Sequence, residues 1–301
     1  MLAFGHGSGT ILLYQVRRVQ RMKTLHVATI LWGVLNVVCL QAQTGTTDDS
    51  QAPQLGSLNG RFLYDGDPPK AAEQSRFDAM DLNTPVSRDG VGRVSGVELA
   101  YREYLQKGIR PKTGDNSLLV NKGGGIANVV VFATRSNITD TLVNVAKAQP
   151  AKLQIKNGQF APRVLAIAKN QPLQIENSDA IGFGFHLEAI QNQSVNLLMA
   201  PESKRELTFS NCEKIPLPFR SDHQIWANGF IFIHDNRYSA VTSTDGSFTL
   251  TDLPLGKWEF QAWHEKAGYL QHWPMGRFTV EIHAGNNELG NVKLSPYLFT
   301  K

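Results

Sequence analysis

Short runs in which every second residue is apolar recur along the second half of the chain, and they constrain the fold more than any other feature. Such alternation is typical of β-strands that turn one face toward a core. With turn residues between them, the runs predict an all-β sandwich fold. They are Leu153/Ile155, Val164/Ala166/Ala168, Leu173/Ile175, Leu207/Phe209, Phe248/Leu250, Trp258/Phe260/Ala262 and Phe278/Val280/Ile282.

Three other stretches refine this prediction. Asp245-Gly246 lies between two strand runs and predicts a β-hairpin, because glycine accepts a positive φ. Residues 97–105, VELAYREYL, are the only stretch whose pattern allows a helix. They belong to residues 78–112, which are too long for an ordinary loop and irregular in pattern, so we expect this segment to wrap the surface.

The N-terminus predicts an export signal. Residues 27–40, VATILWGVLNVVCL, form an apolar run too short to span a bilayer comfortably, and Lys23 precedes it. We assign residues 1–42 to a signal peptide, whose true start could be Met22, and residues 43–57 to a polar linker. Cleavage after Ala42 would leave a periplasmic or extracellular protein without a membrane span, whereas a retained segment would act as a membrane anchor.

The charge balance argues against a nucleic-acid-binding protein. The chain has 30 Lys and Arg against 26 Asp and Glu, but residues 1–42 hold four of the basic residues and none of the acidic ones. The remainder is therefore neutral and offers no basic face for phosphates. If the signal is removed, Cys212 is the only cysteine left and no internal disulfide can form. Its neighbour Glu213 should oppose thiolate formation, which predicts a small buried filler.

Three segments together resemble a family of bacterial exported proteins with a cupredoxin-like domain, often labelled methylamine-utilisation-like. They are GRFLYDG at 60–66 followed by Pro68-Pro69, FAPRVLAIAKNQPLQIENSD at 160–179, and GFIFIHDNRYSAVTSTDGSFTLTDLPLGKWEFQAWHEKAG at 229–268. The resemblance covers most of residues 58–270. It implies a cupredoxin-like Greek-key β-sandwich nested in, or joined to, a carboxypeptidase-regulatory-like (prealbumin-like) β-sandwich. Residues 141–238 would form the first, and residues 58–140 with 239–297 the second.

The resemblance also implies four positions for type-1 copper ligands. In the family a histidine follows the NSD turn, and a Cys-x-x-His-x-x-Met run precedes the last strand. With Trp226 and the strand at 230–233 setting the register, these positions fall on Phe183, Ser221, Gln224 and Ala227. None of the four residues supplies the thiolate, imidazole or thioether that a type-1 site uses. We therefore expect no cofactor, with copper as the alternative.

A rebuilt copper site is the alternative that must be weighed. A one-residue slip would bring His223 to the position of Gln224, although such a slip turns the side chain to the other face of an extended segment. His186 could replace Phe183, and Cys212 and Met199 could be recruited. The competing interpretation is that His186 and His223 are ordinary surface histidines. Ser221-Asp222-His223 spells a catalytic triad, but adjacent strand residues point to opposite faces.

A second candidate site lies around WHE at 263–265. His264, Glu265 and His272 could form a metal or ligand site, while the structural interpretation is a buried histidine bonded to a turn, with Trp263 and Trp273 closing the sandwich edge. The two tryptophans could also stack on sugars.

These observations favour an exported, non-catalytic binding or structural protein whose partner is an envelope protein or a glycan. The alternatives are a periplasmic copper electron-transfer protein with a rebuilt ligand set, and a carbohydrate-binding envelope protein. A hydrolase is disfavoured because no nucleophile and base are paired.

Overall fold

A computed structural model of the chain describes residues 54–69, 96–136 and 149–300. The predicted signal peptide at 1–42 and most of the linker at 43–57 lie outside these residues. The described residues form seventeen strands, one α-helix and two short 3₁₀ helices, so the prediction of an all-β fold is confirmed. None of their helices is long and apolar enough to cross a membrane.

The strands fall into three groups along the chain. The first group, with the helix, is β1 (Leu55–Tyr64), α1 (Gly96–Gln106) and β2 (Val130–Ser136). The second is β3 (Ala151–Lys156), β4 (Gln159–Ala161), β5 (Val164–Ala168), β6 (Leu173–Asn177), β7 (Phe183–Leu187), β8 (Val195–Met199), β9 (Lys204–Leu207), β10 (Leu217–Arg220) and β11 (Asn228–His234). The third is β12 (Ser239–Val241), β13 (Ser247–Pro254), β14 (Gly256–His264), β15 (Gly268–Tyr269), β16 (Arg277–Ile282) and β17 (Gly285–Leu294).

The second group builds one sandwich, which we call the inserted sandwich. Its sheets have the strand orders β4-β3-β6-β9 and β5-β11-β10-β7-β8. The pairs β3–β6 and β5–β11 are parallel and join strands that are distant in sequence, so the chain crosses between the sheets. Apolar side chains such as Leu153, Ile175 and Ile231 face inward from both sheets and form one continuous core.

The first and third groups together build the host sandwich. Its sheets are β13-β1-β17 and β12-β2-β14, with β15 and β16 pairing along the far side of β14. Aliphatic and aromatic side chains form its separate core, where the ring of Trp258 meets those of Tyr238 and Phe260. The strands of the inserted sandwich thus lie between β2 and β12 of the host in the chain. The domain bounds given above stay a prediction.

Helix α1 does not pack in the core of the host sandwich, to which its segment was assigned, and it does not wrap the surface as expected for residues 78–112. It precedes the inserted sandwich and lies in the segment assigned to the host, yet its Tyr101 and Tyr104 are fully buried in the core of the inserted sandwich. Aromatic side chains on one face of an eleven-residue helix gain more from burial than from lying on the surface. Residues 78–95 of the predicted wrap lie outside the described residues.

The two sandwiches are in direct contact through one apolar cluster. Val164 and Phe232 of the inserted sandwich meet Val130 and Trp263 of the host. This contact explains why β5 does not show the one-sided burial that its alternation predicts. Leu165 and Ile167 face the core of the inserted sandwich, while Val164 on the other face is covered by the host.

The Asp245-Gly246 turn forms, but the predicted hairpin is wrong. Gly246 has φ +85°, as the sequence signal requires. However, β12 pairs with β2 while β13 pairs with β1, so the turn carries the chain from one host sheet to the other. A Cβ at Gly246 would lie 2.3 Å from the carbonyl oxygen of Phe62. The glycine is therefore needed for this close approach as well as for its φ.

Candidate functional site

The four positions that the family resemblance marks as copper ligands lie in one part of the inserted sandwich. Phe183 opens β7, while Ser221, Gln224 and Ala227 belong to the loop between β10 and β11. All four side chains are at most 3% exposed. The backbone closes the loop with hydrogen bonds from Ser221 N–H to Ala227 O and from Ala227 N–H to Gln224 O. The strands β10 and β11 are paired directly below it, which fixes where these side chains point.

Ser221 and Gln224 bond to each other inside the loop. The Ser221 hydroxyl donates to Gln224 Oε1 over 2.5 Å and accepts from the Gln224 backbone N–H over 3.1 Å. The Gln224 amide also reaches Gly182 O, next to Phe183, at 3.4 Å. Two polar side chains that would each lose free energy if buried alone therefore satisfy one another. The positions expected for the thiolate and the second imidazole form a closed polar contact.

Phe183 fills the remaining position with an aromatic ring. Its ring meets that of Phe160 edge-on, with centroids 5.2 Å apart, and Phe160 makes a similar contact with Phe219 at 5.0 Å. Met199 is the strand partner of Phe183 and is also buried. Edge-to-face contacts of this kind add to the free energy gained by burying the rings. The end of the sandwich is therefore part of the apolar core.

Helix α1 closes the same loop from outside through Trp226. The Trp226 ring lies edge-on to Tyr101, with centroids 5.4 Å apart, and its Nε1–H donates to Gly158 O over 2.9 Å. The Tyr104 hydroxyl donates to the Asp179 carboxylate over 3.1 Å. Burial and, secondly, the negative charge of Asp179 raise the pKa of Tyr104 above its ordinary value, so the phenol stays a donor.

Asp179, the last residue of the NSD sequence, is a structural anchor. It is buried and accepts hydrogen bonds from the backbone N–H groups of Asn157 and Gly158 at 2.7 and 2.8 Å. These residues form the turn between β3 and β4, where both have positive φ. Asp179 therefore holds both this turn and helix α1, and this role does not depend on a metal.

His186 and His223, the candidate replacement ligands, point away from this interior. His186 lies on the solvent side of its sheet, where Nδ1 is 2.8 Å from Asp222 Oδ2. Arg220 binds Asp222 and Glu188 in the same cluster, at 3.1 and 3.2 Å. The hydrogen bond with His186 holds the pKa of Asp222 below its ordinary value. His223 is exposed.

Cys212 lies elsewhere in the inserted sandwich, half-buried and free. Burial raises the pKa of its thiol, and Asp235 adds to the rise. The prediction that Glu213 opposes ionisation of the Cys212 thiol is wrong. The Glu213 carboxylate turns toward a different loop and accepts hydrogen bonds from the backbone N–H groups of Gln191 and Asn192 at 3.0 and 3.2 Å. The structure does not bring Cys212 together with the candidate histidines.

The residues of the second candidate site are separated. His264 is fully buried, its Nδ1 accepts from the Lys266 backbone N–H at 3.2 Å, and burial lowers its pKa to about 4. Glu265 forms an ion pair, while His272 is exposed beside Trp273. In the described parts of the chain, no three His, Cys, Asp or Glu side chains are placed to hold a metal ion.

The two tryptophans of the carbohydrate interpretation differ in burial. Trp263 belongs to the apolar contact between the sandwiches and is 6% exposed. Trp273 stacks on Phe278 with centroids 4.4 Å apart and lies edge-on to Phe62. Trp263 is therefore buried in the contact, whereas Trp273 is half-buried with one face on Phe278, and the carbohydrate interpretation stays a prediction.

No sequence pattern predicted the polar contact that joins the two sandwiches. Arg163, just before β5, forms two hydrogen bonds to the Glu265 carboxylate at 2.7 and 2.8 Å and a third to Asn228 at 2.6 Å. Glu265 is 3% exposed, and burial raises its pKa although Arg163 opposes the rise. Residues this far apart along the chain carry no local pattern that could reveal the pairing.

Comparisons with known proteins give weak likenesses to copper proteins. A copper-containing nitrite reductase from Thermus scotoductus matches with 12% identity and a TM-score of 0.27, over 35% of this chain and 25% of the reductase. A purple cupredoxin from Nitrosopumilus maritimus matches with 15% identity and a TM-score of 0.24, over 28% of this chain and 98% of its own. An oxidised amicyanin mutant matches with 14% identity and a TM-score of 0.26, over 35% of this chain and 91% of the amicyanin chain.

The chain thus spans about a quarter of the length of the nitrite reductase. No protein-family model and no curated protein matches the sequence. Likenesses at these TM-scores do not assign the chain to a family.

Proposed function

We propose that this chain is an exported, non-catalytic binding or structural protein whose cupredoxin-like sandwich does not use a type-1 copper centre. The observation that carries the proposal is the packing at the four ligand positions. Ser221 and Gln224 are bonded to each other, and Phe183 and Ala227 complete the apolar core around them.

The donor chemistry at these positions does not fit copper. A type-1 site needs a thiolate, two imidazoles and a weak axial donor around one centre. Here the corresponding atoms are a hydroxyl, an amide and hydrocarbon. A serine hydroxyl does not ionise near neutral pH, and its proton is used in the bond to Gln224. Redox chemistry at this centre would need at least the thiolate, because the soft sulfur ligand suits Cu(I).

The surrounding structure supports the same proposal. Trp226, Tyr101 and Tyr104 cover the loop that holds three of the four positions. Nothing in the loop needs a bound ion to be ordered, because its backbone and side-chain hydrogen bonds are made within the chain. The inserted sandwich then offers a protein surface, without a metal centre, beside the host.

The absence of catalysis is part of the proposal and is supported by side-chain directions. The Ser221 hydroxyl points inward to Gln224, while Asp222 binds His186 on the outside and His223 is exposed. These neighbours in sequence cannot pass a proton to one another. Export rests on residues 1–42 alone.

Copper titration of the purified chain tests the proposal. We expect no intense visible thiolate-to-copper band and no stoichiometric copper in protein isolated from its native host. The Cys212→Ala variant is the matched control, because it removes the one thiol left after residue 42. A band that persists at one copper per chain and disappears in Cys212→Ala would show a rebuilt site and overturn the proposal.

A further inference from the structure

Strand β8 forms an open edge of the inserted sandwich. It pairs with β7 on one side and has no strand partner among the described residues on the other. Leu198 on this strand is 76% exposed. Its neighbour across the β7–β8 pair is Gly184, which has no side chain to cover it. The edge therefore offers both unpaired backbone groups and an apolar side chain.

This edge carries no charge. Residues 189–201, AIQNQSVNLLMAP, contain no Lys, Arg, Asp or Glu. Besides Leu198, the apolar side chain of Ile190 in this segment is 60% exposed. Charged side chains on an edge strand normally prevent pairing with other chains. The other edge strands of four or more residues with solvent-facing positions have such charges, namely β9 (Lys204, Arg205, Glu206), β13 (Asp252), β16 (Arg277, Glu281) and β17 (Glu288, Lys293).

Among the described edge strands of four or more residues, one other strand is uncharged, and its outer face packs on the host sandwich. Strand β5 also lies at the end of its sheet, but on its outer face Val164 is buried and Ala166 is half-buried against the host sandwich. Among the described edge strands of four or more residues, β8 is the uncharged one for which the described residues supply no cover.

The ends of β8 are held in place. Before the strand, the buried Glu213 carboxylate accepts from the backbone N–H of Gln191 and Asn192. After it, the Asn177 amide donates to Met199 O and Ala200 O at 3.4 and 3.0 Å. A strand fixed at both ends loses little conformational entropy when it pairs. The edge is therefore ready to accept another strand.

We propose that β8 pairs antiparallel with β8 of a second copy of this chain, about a two-fold axis near Leu198. This inference rests on the proposed function, because it names the partner that the binding surface takes. Two identical neutral strands meet without repulsion between like charges, as an isologous contact requires. The two Leu198 side chains then lie opposite each other on the same face, where cross-strand pairs contact directly.

The resulting contact is small. A pairing of five residues a side buries less surface than the interfaces of stable complexes, so a dissociation constant on the order of 10–100 µM is expected. The two five-stranded sheets would join into one continuous sheet across the dimer. Self-association should therefore depend strongly on concentration.

Sedimentation velocity over a series of concentrations tests the proposal. We expect the purified chain to shift from monomer to dimer, and Leu198→Lys to raise the dissociation constant at least ~10-fold because two lysines would face each other on the edge. Tyr297→Lys is the matched control, since Tyr297 is 77% exposed in the host sandwich, and it should leave the dissociation constant unchanged.

Hydrogen exchange locates the contact. Amides of β8 should become more protected as the concentration rises, while those of β9 should not change. A chain that stays monomeric at all concentrations overturns the proposal. So does a dimer that Leu198→Lys leaves intact or that protects a different segment.

The outcome is separable from that of the copper titration. Monomers without copper would remove the dimer and leave the non-redox function in place. A thiolate-to-copper band would remove the non-redox function, while sedimentation would still decide whether β8 pairs.

Discussion

The loop and strands around residues 219–228 bury one set of polar side chains and expose another, and the two sets are built differently. Inside, Ser221 and Gln224 form a single closed pair at most 3% exposed. Outside, His186, Arg220 and Asp222 form an open cluster with Glu188. The buried pair is shielded from water, whereas the exposed side chains of the outer cluster can exchange partners with water.

This difference has an energetic meaning. A buried donor or acceptor that loses its partner keeps its full desolvation cost, about 1–3 kcal/mol. An exposed ion pair exchanges one set of contacts for hydration and contributes about 0–1 kcal/mol. We therefore expect substitutions at buried polar groups to destabilise the fold and those at the exposed cluster to have little effect.

The largest effect should come from the buried ion pair between the sandwiches. Glu265→Ala leaves the Arg163 guanidinium without its main partner, and breaking such a pair costs about 3–5 kcal/mol. Urea denaturation measures the loss. Lys204→Ala, which breaks the exposed pair with Glu176, is the control and should cost no more than about 1 kcal/mol. Equal costs for the two variants would contradict the distinction between buried and exposed pairs.

The next effect concerns the pH dependence of stability. Burial lowers the pKa of His264 from 6.5 to about 4, so the unfolded chain binds a proton that the folded chain refuses between these values. Stability should therefore fall as the pH drops from 6.5 to 4, by on the order of 3 kcal/mol from this residue. Thermal unfolding at several pH values measures it. The slope should flatten in His264→Phe, and an unchanged slope would assign the effect to other groups.

A smaller effect is expected at the closed pair. Ser221→Ala removes the hydroxyl and leaves the buried Gln224 amide short of a partner, at a cost of about 1–3 kcal/mol. The double variant Ser221→Ala with Gln224→Leu removes both polar groups and should cost less than the sum of the two single variants. A double-mutant cycle measures this coupling, and strict additivity would show that the two side chains act independently.

The smallest effect should be that of the half-buried histidine on the solvent side of the sheet. His186→Ala removes a contact to Asp222 on the solvent side, and we expect a loss below about 1 kcal/mol. Urea denaturation at high and low salt checks it, because screening should reduce the difference further. A loss as large as that of Ser221→Ala would mean that the outer cluster is structurally required.

The strand pattern could be predicted from the sequence because alternation is local. Leu153 with Ile155 and Trp258 with Phe260 lie on strands and face cores as expected. The Asp245-Gly246 turn was found for the same reason, since φ +85° is a property of one residue. The hairpin was predicted wrongly, because the strands that pair with β12 and β13 come from distant parts of the chain.

The site could be predicted only in part. The register taken from the resemblance marks positions such as Phe183 and Ser221, but the bond between Ser221 and Gln224 depends on side-chain rotamers that no pattern encodes. The pairing of Arg163 with Glu265 and the packing of Tyr101 on Trp226 join segments far apart in the chain. Such contacts exist only once the fold has brought the segments together.

Helix α1 must be included if the inserted sandwich is to be produced as a separate domain. Excising residues 149–234 would leave behind Tyr101 and Tyr104, and so strip the Trp226 ring and the Asp179 carboxylate of neighbours they now have. A transplant that starts at residue 96 would keep them. The same requirement would hold for any rearrangement of the gene, because the helix must travel with a module that begins some forty residues downstream of it.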